Sequence, residues 1–283
     1  MKAVILNIGN EVLSGKIINT NAAFLSHSLD KIGIETEKVV VVGDEPEAIK
    51  AELKAFRKSE VQILITTGGL GPTHDDLTKE VIASFLGLEL VEDLEVKERL
   101  EAYLGSTSKP YGSKQISFPK DAIIIPNSIG SAEGAIINNQ GKTYIILVGP
   151  SLEMETMVKK TVIPYLLREN PEQFLYHEFI VMGQNEPYFE EKLQSLYRKH
   201  PKIGIAPYCS LGKIRYEIRA PKLFEKEFSD AVSAFRNLLE PNIISEGEEI
   251  ETVCVKRLQE LGYKISCAES CTGGLLVGKI INV

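Results

Sequence analysis

Short apolar runs rich in β-branched residues alternate, along the first part of the chain, with longer segments of helical periodicity. "AVILNI" (3–8), "EKVVVV" (37–42), "VQILIT" (61–66), "AIIIP" (122–126) and "TYIILV" (143–148) suit strands covered on both faces. Between them, "NAAFLSHSLDKIG" (21–33) and "EPEAIKAELKAFRKS" (45–59) repeat apolar positions at helix spacing. Gly33 is a helix stop, and Pro46 fits a first helical turn, where no N–H is needed. "SLEMETMVKKTVIPYLLRE" (151–169) predicts a further helix, kinked near Pro164. This alternation predicts a three-layer α/β/α domain around a largely parallel sheet, spanning residues 1–169.

"NPEQF" (170–174) reads as a linker. A strand "EFIVMG" (178–183), a helix "PYFEEKLQSLYRKH" (187–200), strands "KIGIAP" (202–207) and "KIRYEIRA" (213–220), and a helix "KLFEKEFSDAVSAFRNLLE" (222–240) follow. They predict a small α+β unit over residues 170–246. Polar "SEGEEIE" (245–251) leads into a helix, a short strand "YKISCAE" (263–269) and the closing "SCTGGLLVGKIINV".

Composition narrows the function classes. With 283 residues, two or three units are expected, and 43% hydrophobic residues can build a real core. A net charge of −7 speaks against a nucleic-acid partner, which would call for clustered Lys and Arg. The N-terminal apolar run gives way at once to Asn, Glu and Ser, unlike a signal peptide, and no stretch approaches the roughly 20 apolar residues of a membrane span. The four cysteines lack CxxC spacing, so reduced thiols in a cytoplasmic protein fit better than a zinc site.

The candidate chemistry gathers where strands end. "TTGGLGPTHDDLTKE" (66–80) follows an apolar run, and ligands of open α/β sheets bind beyond the carboxyl ends of strands. Gly68, Gly69 and Gly71 allow close approach of backbone N–H groups to an anion, while Thr67 and Thr73 offer hydroxyl donors. Asp75 and Asp76 could hold a divalent cation, and Thr78 could cap the helix that follows. A glycine turn closed by an Asp/Thr cap accounts for the same composition, although paired aspartates exceed what a cap requires. This is not a Walker loop, since no Lys-Ser/Thr pair follows the last glycine.

Other strand ends add to the picture. In "GNEVLSGKIINTN" (9–21), Glu11 could ligate metal or position water, or simply be solvated. Asn19 and Asn21 could contact a sugar or base, with Asn21 equally a plain N-cap. Asp44 follows the second apolar run, either as a ligand or as the N-cap of the Pro46 helix. Glu153 opens a helix after another strand, where a first-turn acid and a metal ligand both suit. Four strand ends thus each deliver an acid, and their convergence would make a carboxylate-rich pocket floored by glycines.

"GNEVLSGKIINTNAAFL", "TTGGLGPTHDDLT", "NSIGSAEGA" and "GPSLEMETM" resemble, in order, the signatures of the CinA (competence/damage-inducible protein A) family over residues 1–167. The resemblance implies a molybdopterin-binding-like fold and metal-dependent cleavage of ADP-ribose into AMP and ribose 5-phosphate. Asp44 and Asp76 correspond to acids of the active pocket in relatives of that fold. The middle unit resembles the family's KH-like domain, where Glu186 matches a family glutamate. Glu133 stands where the family commonly has proline, which could alter the pocket's charge. "SCAESCTGGLLVGKIINV" resembles the opening of the family's C-terminal amidase domain, which deamidates nicotinamide mononucleotide. Ser270 matches its nucleophile, and residues 247–283 are expected to be an incomplete start of that domain, leaving Ser270 vestigial.

The expectation is a cytoplasmic pyrophosphatase for ADP-ribose or a similar nucleoside diphosphate sugar. Glu11, Asp44, Asp76 and Glu153 would hold Co²⁺, Mg²⁺ or Mn²⁺, with K⁺ an additional candidate ion, and the chain would form a homodimer. A nucleotide- or pterin-binding module without turnover is the alternative, and deamidation through the C-terminal segment a second.

Overall fold

A computed structural model of the chain describes residues 1–105, 113–170 and 174–283. The chain divides into two compact units, Met1–Gln173 and Phe174–Val283. Residues 171–173 of the expected linker lie outside the described residues.

The strands of the first unit are β1 (Lys2–Ile8), β2 (Glu35–Val42), β3 (Ile63–Thr67), β4 (Leu90–Glu92), β5 (Ser117–Pro119), β6 (Ile123–Ile125), β7 (Gly134–Asn139) and β8 (Lys142–Leu147). Its helices are α1 (Asn10–Leu13), α2 (Thr20–Asp30), α3 (Pro46–Lys58), α4 (Thr78–Leu86), α5 (Leu94–Leu104), α6 (Ser151–Met157) and α7 (Ile163–Glu169). Six strands form one sheet in the order β2-β1-β3-β8-β7-β6. β2, β1, β3 and β8 are parallel, while β7 runs antiparallel to both its neighbours. The fold class matches the α/β expectation. β7 escapes a reading based on apolar runs because "GAIINN" carries a glycine and two asparagines.

β1 and β3 are buried almost throughout, as strands between neighbours on both sides should be. β2 lies at the sheet edge and keeps the exposed, charged start "ETEK" that discourages further pairing. α3 buries Ile49, Leu53 and Phe56, one helix stripe, against the sheet. A π-helical stretch, Val158–Val162, joins α6 to α7 immediately before Pro164. The expected kink is therefore an extra residue wound into the helix ahead of a proline that cannot donate to the ladder.

Register decides what comes together at the sheet's carboxyl edge. Ile8 pairs with Val42, Asn7 with Thr67, and Thr67 with Leu147. Four parallel strands therefore stop at one level, and the loops that follow them start from a common line.

The second unit contains β9 (Phe174–Val181), β10 (Gly204–Ser210), β11 (Lys213–Pro221) and β12 (Ile243–Glu246), with α8 (Glu186–Lys199), α9 (Glu225–Leu239), α10 (Ile250–Glu260) and α11 (Leu275–Ile281). Its antiparallel sheet has the order β10-β11-β9-β12. Phe179, Phe189, Tyr216 and Phe235 fill the core, Phe179 stacking on Phe235 at 4.6 Å between ring centres. β9 begins four residues before the predicted strand, and β12 occupies the start of the stretch read as polar linker. The predicted strand "YKISCAE" has no strand backbone: it pairs with none of the described strands. α10 and α11 bury no residue. Among the described residues no helix is long and apolar enough to cross a membrane.

Candidate functional site

Two adjoining cavities open beyond the carboxyl ends of β1, β2, β3 and β8. One, of about 330 Å³, is lined by Glu11, Asp44, Asp75 and Asp76, by Gly68, Gly69 and Gly71, and by Ser131 and Ala132. The other, of about 410 Å³, is lined by Asn7, Thr67, Asn19, Thr20, Asn21 and Ser151, with Val12, Ile17 and Ile18 as an apolar wall. Ile8, Glu11, Gly149 and Pro150 border both.

Three of the four acidic strand ends therefore line one cavity, although among the described residues no three of their carboxylates bring oxygens within 4.8 Å of one another. Asp44 accepts a hydrogen bond from the Asn10 N–H at 2.9 Å, which ties the end of β2 to the start of α1. It is not the cap of α3: that place belongs to Glu45, which makes no capping bond. Asp76 accepts the Thr73 N–H at 3.0 Å and the Thr73 hydroxyl at 2.6 Å. Asp75 also takes a bond from that hydroxyl, and this contact is the main reason its carboxyl titrates below the usual range, with His74 and Lys114 adding to it. Glu11 lies exposed in the first turn of α1.

The fourth acid is elsewhere. Glu153 borders neither cavity; its Oε2 accepts from the Asn127 side chain at 2.7 Å. Asn127 also bonds the Ala132 carbonyl at 2.9 Å, so Glu153 steadies the loop that brings Ser131 and Ala132 to the acid cavity. Glu133 is likewise turned away from the pocket, contrary to the expectation that it adjusts pocket charge. It is buried, pairs with Arg99 at 3.0 Å and accepts the Asn127 N–H. Burial pushes its carboxyl up, against the pull of those partners.

The glycine loop departs from the expectation in detail. The Gly68 N–H is engaged by the Leu147 carbonyl at 3.0 Å, continuing the sheet, so it does not face an anion. The N–H groups of Gly69 and Gly71 carry no hydrogen bond among the described residues. Thr78 is fully buried inside α4 and caps nothing. Its hydroxyl donates to the Gly68 carbonyl at 2.8 Å and its N–H to that of Gly69 at 3.2 Å, locking the loop's shape. Thr67 donates to Asn7 Oδ1 at 3.1 Å and thereby orients the Asn7 amide. The Thr73 hydroxyl is occupied by the two aspartates.

In the second cavity the cap of α2 is Asn19, which accepts the Ala22 N–H at 3.0 Å. Asn21 instead bonds the Gly149 carbonyl at 2.8 Å and accepts from Ser151 at 2.7 Å, joining α2 to the loop after β8. Asn7, Ser131 and Ser151 were not singled out by the sequence. Asn7 had a signal, being the polar residue within an otherwise apolar strand run. Ser270 lies exposed in the turn ahead of α11, its carbonyl accepting the Gly273 N–H at 3.1 Å. Glu186, at the start of α8, accepts from the Cys209 thiol at 3.1 Å.

Behind the glycine loop, α4 buries Lys79. Desolvation pushes its ammonium down to about 8, with Lys114 acting in the same sense and Glu80 and Glu133 opposing. Between about pH 8 and its ordinary value the unfolded chain holds a proton that the folded chain has lost, so stability gains with rising pH. The unfolding free energy of the native chain relative to Lys79→Met is therefore expected to increase by about 1.5 kcal/mol from about pH 8 to about pH 9.5. Urea titrations of both proteins across that range check it; parallel pH profiles would show that Lys79 is not desolvated.

The acid cavity's donors are carboxylates, the set preferred by hard divalent cations. Carboxylates and the loop glycines line one cavity, and amide and hydroxyl groups beside an apolar wall line the other, with Glu11 and Gly149 on their common border.

Comparison with known proteins gives a consistent picture. The family model described as "Probable molybdopterin binding domain" matches residues 4–168, and that of the "CinA C-terminal domain" matches residues 247–283. A "Putative competence-damage inducible protein" of Clostridium kluyveri is 38% identical over 292 residues, covering 100% of this chain and 71% of its own. A "CinA-like protein" of Kosmotoga olearia is 39% identical over 294 residues, covering 100% of this chain and 70% of its own. The crystal structure of the protein CinA from Thermoplasma acidophilum, described as of unknown function, has a TM-score of 0.54 and 31% identity over 59% of this chain and 97% of that one.

Proposed function

The chain belongs to the CinA family, with a molybdopterin-binding-like first domain, and from that premise we propose that this domain is a metal-dependent pyrophosphatase for ADP-ribose or a similar nucleoside diphosphate sugar. The observation that carries the reading is the shared border between an acid-lined cavity and an amide-lined one. A diphosphate that crosses this border presents its bridging oxygen near Glu11, Gly149 and Pro150.

Asp44, Asp75 and Asp76 are the residues to hold a divalent cation. When bound, the cation neutralises the diphosphate and makes its phosphorus more electrophilic. The chain's own groups do the rest. The N–H groups of Gly69 and Gly71 bind phosphate oxygens. Asn7, Asn19 and Asn21 hydrogen-bond the sugar or base, which rests against Val12, Ile17 and Ile18. Glu11 accepts a proton from the attacking water, whose oxygen joins one phosphorus as the bridge to the other breaks. The products are AMP and ribose 5-phosphate.

The full chain incubated with ADP-ribose and Mn²⁺, Mg²⁺ or Co²⁺ is expected to release AMP and ribose 5-phosphate in equal amounts, and to release neither in EDTA. Saturable binding of ADP-ribose without AMP would replace the enzyme by a nucleotide- or pterin-binding module. Deamidation of nicotinamide mononucleotide has less support, because Ser270 is exposed between two helices that bury no residue.

A further inference from the structure

A buried cation stands behind the acid turn, outside both cavities. Lys79 is 3% exposed. Its ammonium donates to the carbonyls of Lys114 at 3.0 Å and Gln115 at 3.4 Å, and lies 3.9 Å from the centre of the Phe118 ring. Three donors thus meet two carbonyls and an aromatic face, the full capacity of a lysine head. Burying a charge is costly, and an apolar side chain would fill this helix position with less penalty. What the lysine adds is a fixed location for the backbone at residues 114 and 115.

That backbone holds two walls of the acid cavity. The Lys114 side chain donates to the Thr73 carbonyl at 2.7 Å. Thr73 in turn bonds both aspartates through its hydroxyl, and Asp76 through its N–H. The Gln115 side chain reaches the Ser131 hydroxyl at 3.4 Å, and Ser131 lines the cavity opposite.

We propose that Lys79 and Lys114 are positioning residues, a two-lysine clasp that acts through Thr73 to set where the Asp75 and Asp76 carboxylates stand in the acid cavity. The consequence for cation affinity rests on the pyrophosphatase reading; the clasp itself does not. Neither lysine lines either cavity. Groups that orient metal-ligating carboxylates typically govern affinity by 10- to 100-fold.

The full chain and its Lys79→Met, Lys114→Met and Lys114→Arg variants decide the matter through two readouts. NMR relaxation of the Thr73, Asp75 and Asp76 amides is expected to show order parameters of about 0.85 in the unaltered chain and below about 0.6 in both methionine variants. Lys114→Arg, which still donates to a carbonyl, restores the rigid value. Titration with Mn²⁺ alone is expected to give a Kd about 10-fold weaker in the methionine variants and near native in the arginine variant. Lys114 is partly exposed, so its variants keep the fold even if Lys79→Met does not. Unchanged order parameters in Lys114→Met would overturn the clasp. Lost order with native Mn²⁺ affinity would overturn its role at the cation. If the unaltered chain binds no Mn²⁺, the pyrophosphatase reading falls, and the order parameters alone judge the clasp.

Discussion

Asp76→Asn is expected to lower Mn²⁺-supported release of AMP from ADP-ribose by roughly 1,000-fold, about 4 kcal/mol of transition-state stabilisation. Asparagine keeps the shape of the side chain and one acceptor for the Thr73 N–H, so the turn persists while the charge goes. The aspartate is half-buried, lines the acid cavity and is held by two bonds from Thr73, so it has little freedom to be replaced by a neighbour. An initial-rate assay with saturating Mn²⁺, paired with circular dichroism to verify the fold, measures the effect. Undiminished turnover would take this acid out of the mechanism.

Gly68→Ala carries the largest expected effect on stability, a loss of roughly 3 kcal/mol or more. Two independent constraints coincide there. The backbone has φ of 100°, a region that L side chains rarely adopt. An added Cβ would also sit inside van der Waals distance of the Ile8 carbonyl oxygen, which is strand backbone and cannot step aside. Urea unfolding followed by far-ultraviolet dichroism is the measurement. A midpoint unchanged from the native chain would show that the loop relaxes where the packing says it cannot.

The layered α/β architecture was legible because buried parallel strands announce themselves as apolar runs, and α2 and α3 as helix-spaced stripes. β7 and β12 were not, since "GAIINN" and "IISE" mix polar residues into strands that pairing alone sustains. Within the site, Asp44, Asp75, Asp76 and Glu11 could be picked out because each follows a recognisable strand. What they bond to could not. Whether Asp44 caps α3 or accepts from Asn10 depends on where the β1 loop lies, which is a matter of sheet order and register. The same holds for Thr67 and Thr78, whose hydroxyls serve Asn7 and Gly68 at sequence separations of 60 and 10 residues. Glu153 resembled the other acids in its sequence setting, and only the loop from Asn127 to Glu133 explains its different partner.

The border common to the two cavities has an implication for turnover. A ligand anchored on both sides of it benefits from tethering: each half raises the local concentration of the other. On the proposed hydrolysis, scission at the crossing point would abolish that mutual assistance, leaving two small fragments that must each hold on unaided. A division placed there would make departure of the products an outcome of the reaction itself, with no moving gate required.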